Sequence, residues 1–288
     1  MTRVYKSPEG EREVREWYLE ILKRWPAPNQ HLRLPTRQGE TFVVACGDEN
    51  APPLLLFHGT GANSSTWIGD VAAWAEHFRV YAVDMIGEPG LSAPSRPPLS
   101  SGAHMLWLDD VLRGLSLTRV SIVGLSLGGW LTLDYATRRP ERVERLVLLC
   151  PAGVGAVLVK NTLLRSLVRS GRRRLREMIH GRTPSIASAP ISVIGANFNP
   201  RVVKIPTFSD HALRRLTMPV MAILGGKDVV LDSAGTKRRL ERNVPHAEIC
   251  YLPEAGHAIP EQTVPILEFL GRNHALQMSK ATPSGLRS

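Results

Sequence analysis

The sequence is poor in cysteine and has no long run of apolar residues. Its 288 residues include only three cysteines, Cys46, Cys150 and Cys250, which lie far apart and form no CxxC pair. This odd, scattered set argues against a disulfide framework or a zinc site and is typical of reduced, buried cysteines. No window of about 18 apolar residues is present, so a transmembrane helix is not expected.

The N-terminal residues also lack the apolar core of a secretory signal peptide. Together with the reduced cysteines, this predicts a cytoplasmic location. A hydrophobic fraction of 43% and a charged fraction of 22% are ordinary for a globular protein. A chain of this length can therefore bury a sizeable core.

Acidic residues are scarce in one segment, and this imbalance accounts for the formal net charge of +10. Residues 151–217 hold twelve Lys and Arg against Glu177 and Asp210, whereas the rest of the chain is balanced. The segment has no zinc-finger, RNP-like or basic-zipper pattern, and its arginine-rich run contains no interleaved aromatic residues. We therefore predict no nucleic-acid partner.

Short apolar runs alternate with helical patterns over residues 53–151 and again after residue 217. Near-continuous apolar strands separated by helices predict an α/β fold, with a mostly parallel sheet covered by helices on both faces. Ahead of them, "HLRLPTR" and "ETFVVACGD" predict an antiparallel pair at the sheet edge.

The alternation divides the chain into four parts. Residues 1–29 form a lead-in whose helix carries an apolar stripe, and residues 30–153 with 218–274 form the core domain. Residues 154–217 interrupt the core after the sixth strand and predict a basic helical cap or lid. Residues 275–288 are expected to be a flexible tail. The members of the N-terminal stripe are Val14, Trp17, Tyr18, Ile21, Leu22 and Trp25.

The basic insertion has two interpretations, of which we expect the first. Its helical part, Val157–His180, carries leucines among its arginines. The first interpretation is a lid helix with its apolar residues facing the site and its arginines facing water. The second is an arginine face that attracts an acidic partner, a membrane surface or an anionic substrate.

A lone serine lies between glycines where a predicted strand becomes a helix. Gly124, Ser126 and Gly128 satisfy G-x-S-x-G in "RVSIVGLSLGGWLTL". Glycines two positions either side relieve a sharp turn, and the serine Oγ then projects beside the N-terminus of the following helix. This context predicts that Ser126 is a nucleophile, although a tight turn with an incidental serine has the same pattern.

The loop "HGTG" follows an earlier apolar strand and predicts half of an oxyanion hole. The Thr60 N–H would pair with the N–H of Leu127, just after the serine, while His58, Gly59 and Gly61 support the loop. A phosphate loop is the rival interpretation. It is weakened because the stretch lacks the third glycine of a dinucleotide fingerprint and the Gly-Lys-Ser/Thr of a Walker loop.

An acid and a base follow the last two predicted strands. Asp228 comes just after the strand in "MAILGGKDVVLD", and His257 lies in the loop "LPEAGHAIPEQ". Asp232 is the alternative acid, but it precedes a helical pattern and suits an N-cap. His257 on its own would be an ordinary loop histidine, so its prediction depends on the combination.

The order Ser126, Asp228, His257, with a glycine-rich loop upstream, resembles that of the α/β hydrolases over residues 30–272. More narrowly, "FRVYAVDMIGEPGLS" and "VGLSLGGWLTLDYATRRPERVERLVLLCPAG" look like bacterial carboxylesterases of this fold. One stretch departs from the commonest family pattern, D-x-x-G-x-G-x-S. Residues Asp84–Ser92 carry one residue more, as the carboxylesterase-like branch does.

The resemblance implies a serine esterase that cleaves small to medium acyl esters through an acyl-enzyme, without metal or other cofactor. The same fold serves acyltransferases, thioesterases, lactonases, cofactor-free haloperoxidases and C–C hydrolases, so these remain alternatives. A non-catalytic binding module with this fold is the alternative from another class. The oligomeric state is left undecided.

Overall fold

The computed structural model is built around an eight-stranded sheet. It describes residues 3–158, 189–201, 203–259 and 261–272, with the backbone alone for 189–192. The strand order is β1-β2-β4-β3-β5-β6-β7-β8, in which β2 is antiparallel to both β1 and β4 and the other pairs are parallel. The strands are β1 (Asn29–Thr36), β2 (Gly39–Cys46), β3 (Pro53–Phe57), β4 (Arg79–Val83), β5 (Val120–Leu125), β6 (Val143–Leu149), β7 (Val220–Gly225) and β8 (Glu248–Leu252).

Eight α-helices accompany the sheet in the described part of the chain. They are α1 (Pro8–Leu22), α2 (Val71–Ala75), α3 (Ala103–Gly114), α4 (Leu127–Arg138), α5 (Ala189–Asn197), α6 (Asp210–Leu213), α7 (Ser233–Asn243) and α8 (Thr263–Gly271). Each helix within the described residues is too short or too polar to reach across a lipid bilayer.

The sheet is buried on both faces, as its apolar strands predict. In β3, Leu55 and Phe57 contact one apolar layer, and Leu54 and Leu56 contact the other. All four are fully buried, and each contributes about 1.5–3 kcal/mol relative to an exposed side chain. Residues of α3, α4 and α7 complete the first layer, and residues of α1, α2 and α8 complete the second. The predicted α/β fold is therefore confirmed.

Helix α1 packs onto the second layer through part of its predicted stripe. Ser7 caps the helix by accepting a hydrogen bond from the Gly10 N–H. Tyr18 and Leu22, four residues apart, are buried in this layer, and Val14, one turn earlier, is buried in a separate small cluster. The N-terminal segment is thereby attached to the core.

The chain leaves the sheet after β6, at the sixth strand, where the insertion was predicted. Most of the predicted helix Val157–His180 lies outside the described residues, as do residues 275–288. The described end of the insertion, α5, contacts the N-terminal segment: Tyr5 and Phe198 pair as a β-bridge, and the Lys6 N–H donates to the Asn197 carbonyl at 2.8 Å. The division of the chain into core, cap and tail stays a prediction.

Candidate active site

Ser126 occupies a strained turn between β5 and α4. Its backbone angles are φ 53° and ψ −109°, in a region that a residue with a Cβ adopts at a cost of roughly 1–3 kcal/mol. The turn is held on both sides. The Ser126 N–H donates to the Leu149 carbonyl at 2.9 Å, and its carbonyl accepts from the N–H groups of Trp130 and Ala152. The side chain is thus fixed at the tip of β5.

The glycines around Ser126 lie where a side chain has no room. A Cβ on Gly124 would lie 2.7 Å from the Gly128 carbonyl oxygen. A Cβ on Gly128 would lie 2.3 Å from the carbonyl oxygen of Phe57 and 2.6 Å from that of His58. These neighbours are backbone atoms, which cannot rotate away. The elbow glycines therefore allow α4 to approach β3 and β5.

We expect Gly128→Ala to destabilise the protein by roughly 1–3 kcal/mol, because the new methyl group separates α4 from the end of β3. Urea unfolding followed by circular dichroism measures this change. Gly69→Ala is the matched control, because a Cβ at that exposed glycine meets no atom within 4 Å. Equal unfolding midpoints for the two variants would contradict the packing role of Gly128.

Ser126, His257 and Asp228 form a continuous chain of hydrogen bonds. His257 Nε2 lies 3.0 Å from Ser126 Oγ, and His257 Nδ1 lies 2.7 Å from Asp228 Oδ2. The three residues follow β5, β8 and β7, whose carboxyl ends share one edge of the sheet. The structure thus brings together three side chains that are up to 131 positions apart in the sequence.

Asp228 is held as a buried carboxylate facing the imidazole. Its side chain is 0% exposed, and its Oδ1 accepts the N–H groups of Val230 at 2.7 Å and Leu231 at 3.0 Å. Burial alone would raise the pKa of Asp228. The hydrogen bond to His257, the charge of the His257 imidazolium and the two N–H donors outweigh burial, so the pKa of Asp228 is lowered. Asp228 is therefore ionised near neutral pH.

The alternative acid, Asp232, serves another purpose. It is the N-cap of α7, where its Oδ1 accepts the Gly235 N–H at 2.8 Å. Capping of this kind stabilises a helix by about 1 kcal/mol. Its side chain is therefore directed to the helix rather than to His257.

Cys150, for which no sequence motif predicts a role, lies beside Asp228. Its Sγ, a carboxylate oxygen of Asp228 and a nitrogen of His257 lie within 4.8 Å of one another. Burial, the charge of Asp228 and a hydrogen bond to that carboxylate raise the pKa of the Cys150 thiol to about 12. In this environment the protonated Cys150 thiol is placed to donate to the Asp228 carboxylate.

The predicted oxyanion loop lies against Ser126. A Cβ on Gly59 would be 3.5 Å from the Ser126 Cβ, so the two backbones are in close contact. Within the part of the chain that the structure describes, the Thr60 N–H donates to no acceptor. The Leu127 N–H opens α4, and the first N–H groups of a helix have no partner inside it. In the described residues both N–H groups are therefore without an internal acceptor, which is what an oxyanion donor requires.

His58 supports this loop from below. Its Nε2 accepts the Met85 N–H at 3.0 Å, so the proton of the neutral ring lies on Nδ1, which donates to the Gly59 carbonyl at 2.9 Å. The side chain is fully buried, and burial lowers the pKa of His58, so the ring stays neutral. Both ring nitrogens of His58 are engaged with backbone groups, so His58 orients the loop and takes no part in proton transfer.

A small cavity lies next to the elbow. Apolar side chains, among them Leu127 and Trp130, form most of its wall, and Glu88, His104 and Arg201 are its polar members. Burial lowers the pKa of His104 to about 4, so its ring is neutral. The acidic and basic groups of this wall are thus the carboxyl group of Glu88 and the guanidinium of Arg201.

A model of the alpha/beta hydrolase family matches residues 54–269, about three quarters of the chain. The chain belongs to this family. The chain is 30% identical to the uncharacterized carboxylesterase nap of Bacillus subtilis strain 168, over 84% of this chain and 85% of the relative. The carboxylesterase YbfK of the same strain is 29% identical over 84% and 86%.

Solved structures agree with this placement. The naproxen esterase of Bacillus subtilis superposes with a TM-score of 0.78 at 25% identity, over 96% of this chain and 98% of that one. The carboxylesterase CesB (YbfK) of Bacillus subtilis superposes with a TM-score of 0.77 at 26% identity, over 96% and 100%. The resemblance to the carboxylesterase-like branch of the α/β hydrolases is therefore confirmed.

Proposed function

We propose that this α/β hydrolase is a carboxylesterase that cleaves small to medium acyl esters through an acyl-enzyme on Ser126. The observation that carries the proposal is the hydrogen-bond chain from Ser126 Oγ through His257 to Asp228, with lengths of 3.0 and 2.7 Å. A nucleophile, a base within reach and a group that orients the base are the three parts that acyl transfer needs.

In the first step, Ser126 Oγ attacks the ester carbonyl while His257 Nε2 takes the hydroxyl proton. Asp228 holds the other ring proton at Nδ1 and stabilises the imidazolium that forms. The carbonyl oxygen becomes an oxyanion, which accepts hydrogen bonds from the N–H groups of Thr60 and Leu127. Each such donor contributes about 2.7–4 kcal/mol to the transition state.

The intermediate then collapses and the bond to the leaving alcohol breaks. The imidazolium returns its proton to that alcohol, and Ser126 carries the acyl group. A water molecule gives a proton to His257 as it attacks the acyl carbonyl, and the carboxylic acid leaves when Ser126 regains the proton. Every proton and electron pair is supplied by these residues, water and the ester.

A fluorophosphonate probe and an ester panel test this proposal. We expect the probe to label one serine per chain, found on the peptide that contains Ser126. We expect p-nitrophenyl esters of short to medium acyl length to be hydrolysed faster than the matched thioesters and lactones. An unlabelled chain would favour a binding module, and a preferred thioester or lactone would reassign the substrate.

A cytoplasmic location is part of the same proposal. Cys46, Cys150 and Cys250 are all free thiols in the fold, and the first two are buried. Free, buried thiols suit a reducing compartment. Fractionation of the native host with an antibody to this chain would place it.

A further inference from the structure

The stretch Asp84–Ser92 carries one residue more than the common family pattern, and none of its side chains takes part in the proposed acyl transfer. It places a carboxylate, Glu88, beneath the oxyanion loop. Glu88 is 2% exposed, and its Oε2 accepts the Gly61 N–H at 2.8 Å. Burying an acidic side chain costs free energy unless it is hydrogen-bonded, and the hydrogen bond from Gly61 offsets part of that cost.

The hydrogen bond between Glu88 and Gly61 holds the part of the loop that His58 does not contact. His58 holds the Gly59 carbonyl, before Thr60, and Glu88 holds the Gly61 N–H, after it. Gly61 adopts φ 69°, a backbone conformation that glycine reaches without steric cost, and its N–H is directed to Glu88 in this turn. The Thr60 N–H is thus bracketed by two side-chain anchors.

Glu88 is itself rigidly placed, because Asp84 fastens the loop that carries it. The Asp84 carboxylate accepts the Leu91 N–H at 2.8 Å, the Tyr18 hydroxyl at 2.9 Å and the Ser64 hydroxyl at 2.7 Å. The position of Glu88 therefore depends on the core of the protein and not on solvent. A fixed acceptor can hold a loop N–H in one place.

Two arginines act on Glu88 against the effect of burial. Burial raises the pKa of Glu88, and the Gly61 N–H and the charges of Arg201 and Arg96 offset only part of that shift. Arg96 donates to the carbonyls of Gly87 and Asn199, both at 2.8 Å. Since Arg201 and Asn199 belong to the segment after α5, the end of the insertion contributes to the surroundings of Glu88.

We infer that Glu88 is a positioning residue that sets the Thr60 N–H for the oxyanion through its hydrogen bond to Gly61. The inference rests on the proposed esterase function. Because an oxyanion donor acts in the transition state and not on the bound ester, loss of Glu88 should lower kcat and leave KM nearly unchanged.

The test compares Glu88→Ala, Glu88→Gln and the wild type on one p-nitrophenyl ester. Glu88→Ala removes the acceptor, and we expect kcat to fall about 10- to 100-fold with KM changed less than about threefold. Glu88→Gln keeps a carbonyl oxygen for the Gly61 N–H, so it should recover most of kcat. A trifluoromethyl ketone, whose adduct carries the oxyanion, should bind Glu88→Ala more weakly by the same factor as kcat/KM falls.

Asp134→Ala is the matched control for the loss of a buried carboxylate. Asp134 is 3% exposed, pairs with Arg138, and has a pKa that burial raises, yet it lies eight residues along α4 from Ser126. We expect this variant to lose stability and keep kcat. Each kcat is expressed per serine labelled by exhaustive fluorophosphonate reaction, so unfolded chains do not count.

The outcomes separate the inference from the function on which it rests. Loss of kcat in Glu88→Ala with recovery in Glu88→Gln supports the positioning role. A kcat for Glu88→Ala within threefold of wild type, or an equal loss in Asp134→Ala, overturns it. A wild-type protein that neither hydrolyses esters nor is labelled would overturn the proposed function instead.

Discussion

Replacing Ser126 with alanine is expected to lower kcat/KM for ester hydrolysis by roughly 10⁶-fold, as in comparable triads that lose their nucleophile. Without Oγ, no acyl-enzyme forms and His257 Nε2 has no hydroxyl proton to accept. Some acceleration over water should remain, because the oxyanion donors and the substrate pocket are unchanged. Steady-state hydrolysis of a p-nitrophenyl ester measures the loss.

The fold should tolerate this substitution. Alanine at φ 53° carries the same Cβ as serine, so the backbone strain is similar in both proteins. Far-UV circular dichroism and the melting temperature should therefore match those of the wild type. Fluorophosphonate labelling should be absent in Ser126→Ala, which ties the loss to the nucleophile.

Ser116→Ala is a matched control for this experiment. Ser116 also has a positive φ, 57°, but it lies exposed in the turn after α3, before β5, whereas Ser126 follows the opposite end of that strand. We expect it to keep full activity and labelling. If Ser126→Ala retained activity within tenfold of wild type, another residue would have to be the nucleophile.

The fold of this chain could be predicted from its sequence because its signals are local. The apolar run Leu54–Phe57 alternates between two buried layers, and such runs separated by helical patterns specify a parallel sheet without knowledge of any contact. The strand-to-helix turn at Ser126 is likewise encoded by neighbouring glycines. Side chains that directly follow the carboxyl ends of parallel strands therefore lie at the same edge of the sheet.

Glu88 and Cys150 could not be assigned in this way. The Glu88–Gly61 hydrogen bond joins residues 27 positions apart, and the approach of Cys150 to Asp228 joins two strand ends. Neither contact follows from a period or a motif. The extra residue in Asp84–Ser92 was a visible signal, but the sequence alone does not indicate which N–H its carboxylate would accept.

The contact between α5 and the N-terminal segment was also beyond the sequence. Val14 belongs to the predicted apolar stripe of α1, yet it packs with Tyr5, Ile194 and Phe198 in a separate small cluster rather than in the main core layers. An amphipathic pattern shows that a face is buried but not what buries it. Two of its partners, Ile194 and Phe198, come from the insertion, about 180 residues further along the chain.

Asp228→Asn is expected to lower kcat by roughly 10⁴-fold, the loss seen when a comparable triad has its acid changed to an amide. The structure indicates which way the new amide would point. The N–H groups of Val230 and Leu231 both donate to Oδ1 and require an acceptor there. The asparagine oxygen therefore stays on that side, and its NH₂ group faces His257.

A hydrogen-bond donor at that position changes which ring nitrogen of His257 carries the proton. His257 Nδ1 would have to accept from the amide, so the ring proton would move to Nε2 and point at Ser126 Oγ. A protonated Nε2 cannot take the serine proton, and both hydrolysis and the rate of fluorophosphonate labelling should fall together.

Asp232→Asn is the matched control, because asparagine caps a helix about as well as aspartate and can still accept the Gly235 N–H. We expect it to stay within about twofold of wild type in kcat, since a surface substitution that keeps its cap leaves the structure nearly unperturbed. A severe loss in Asp232→Asn beside a mild one in Asp228→Asn would transfer the acid role to Asp232.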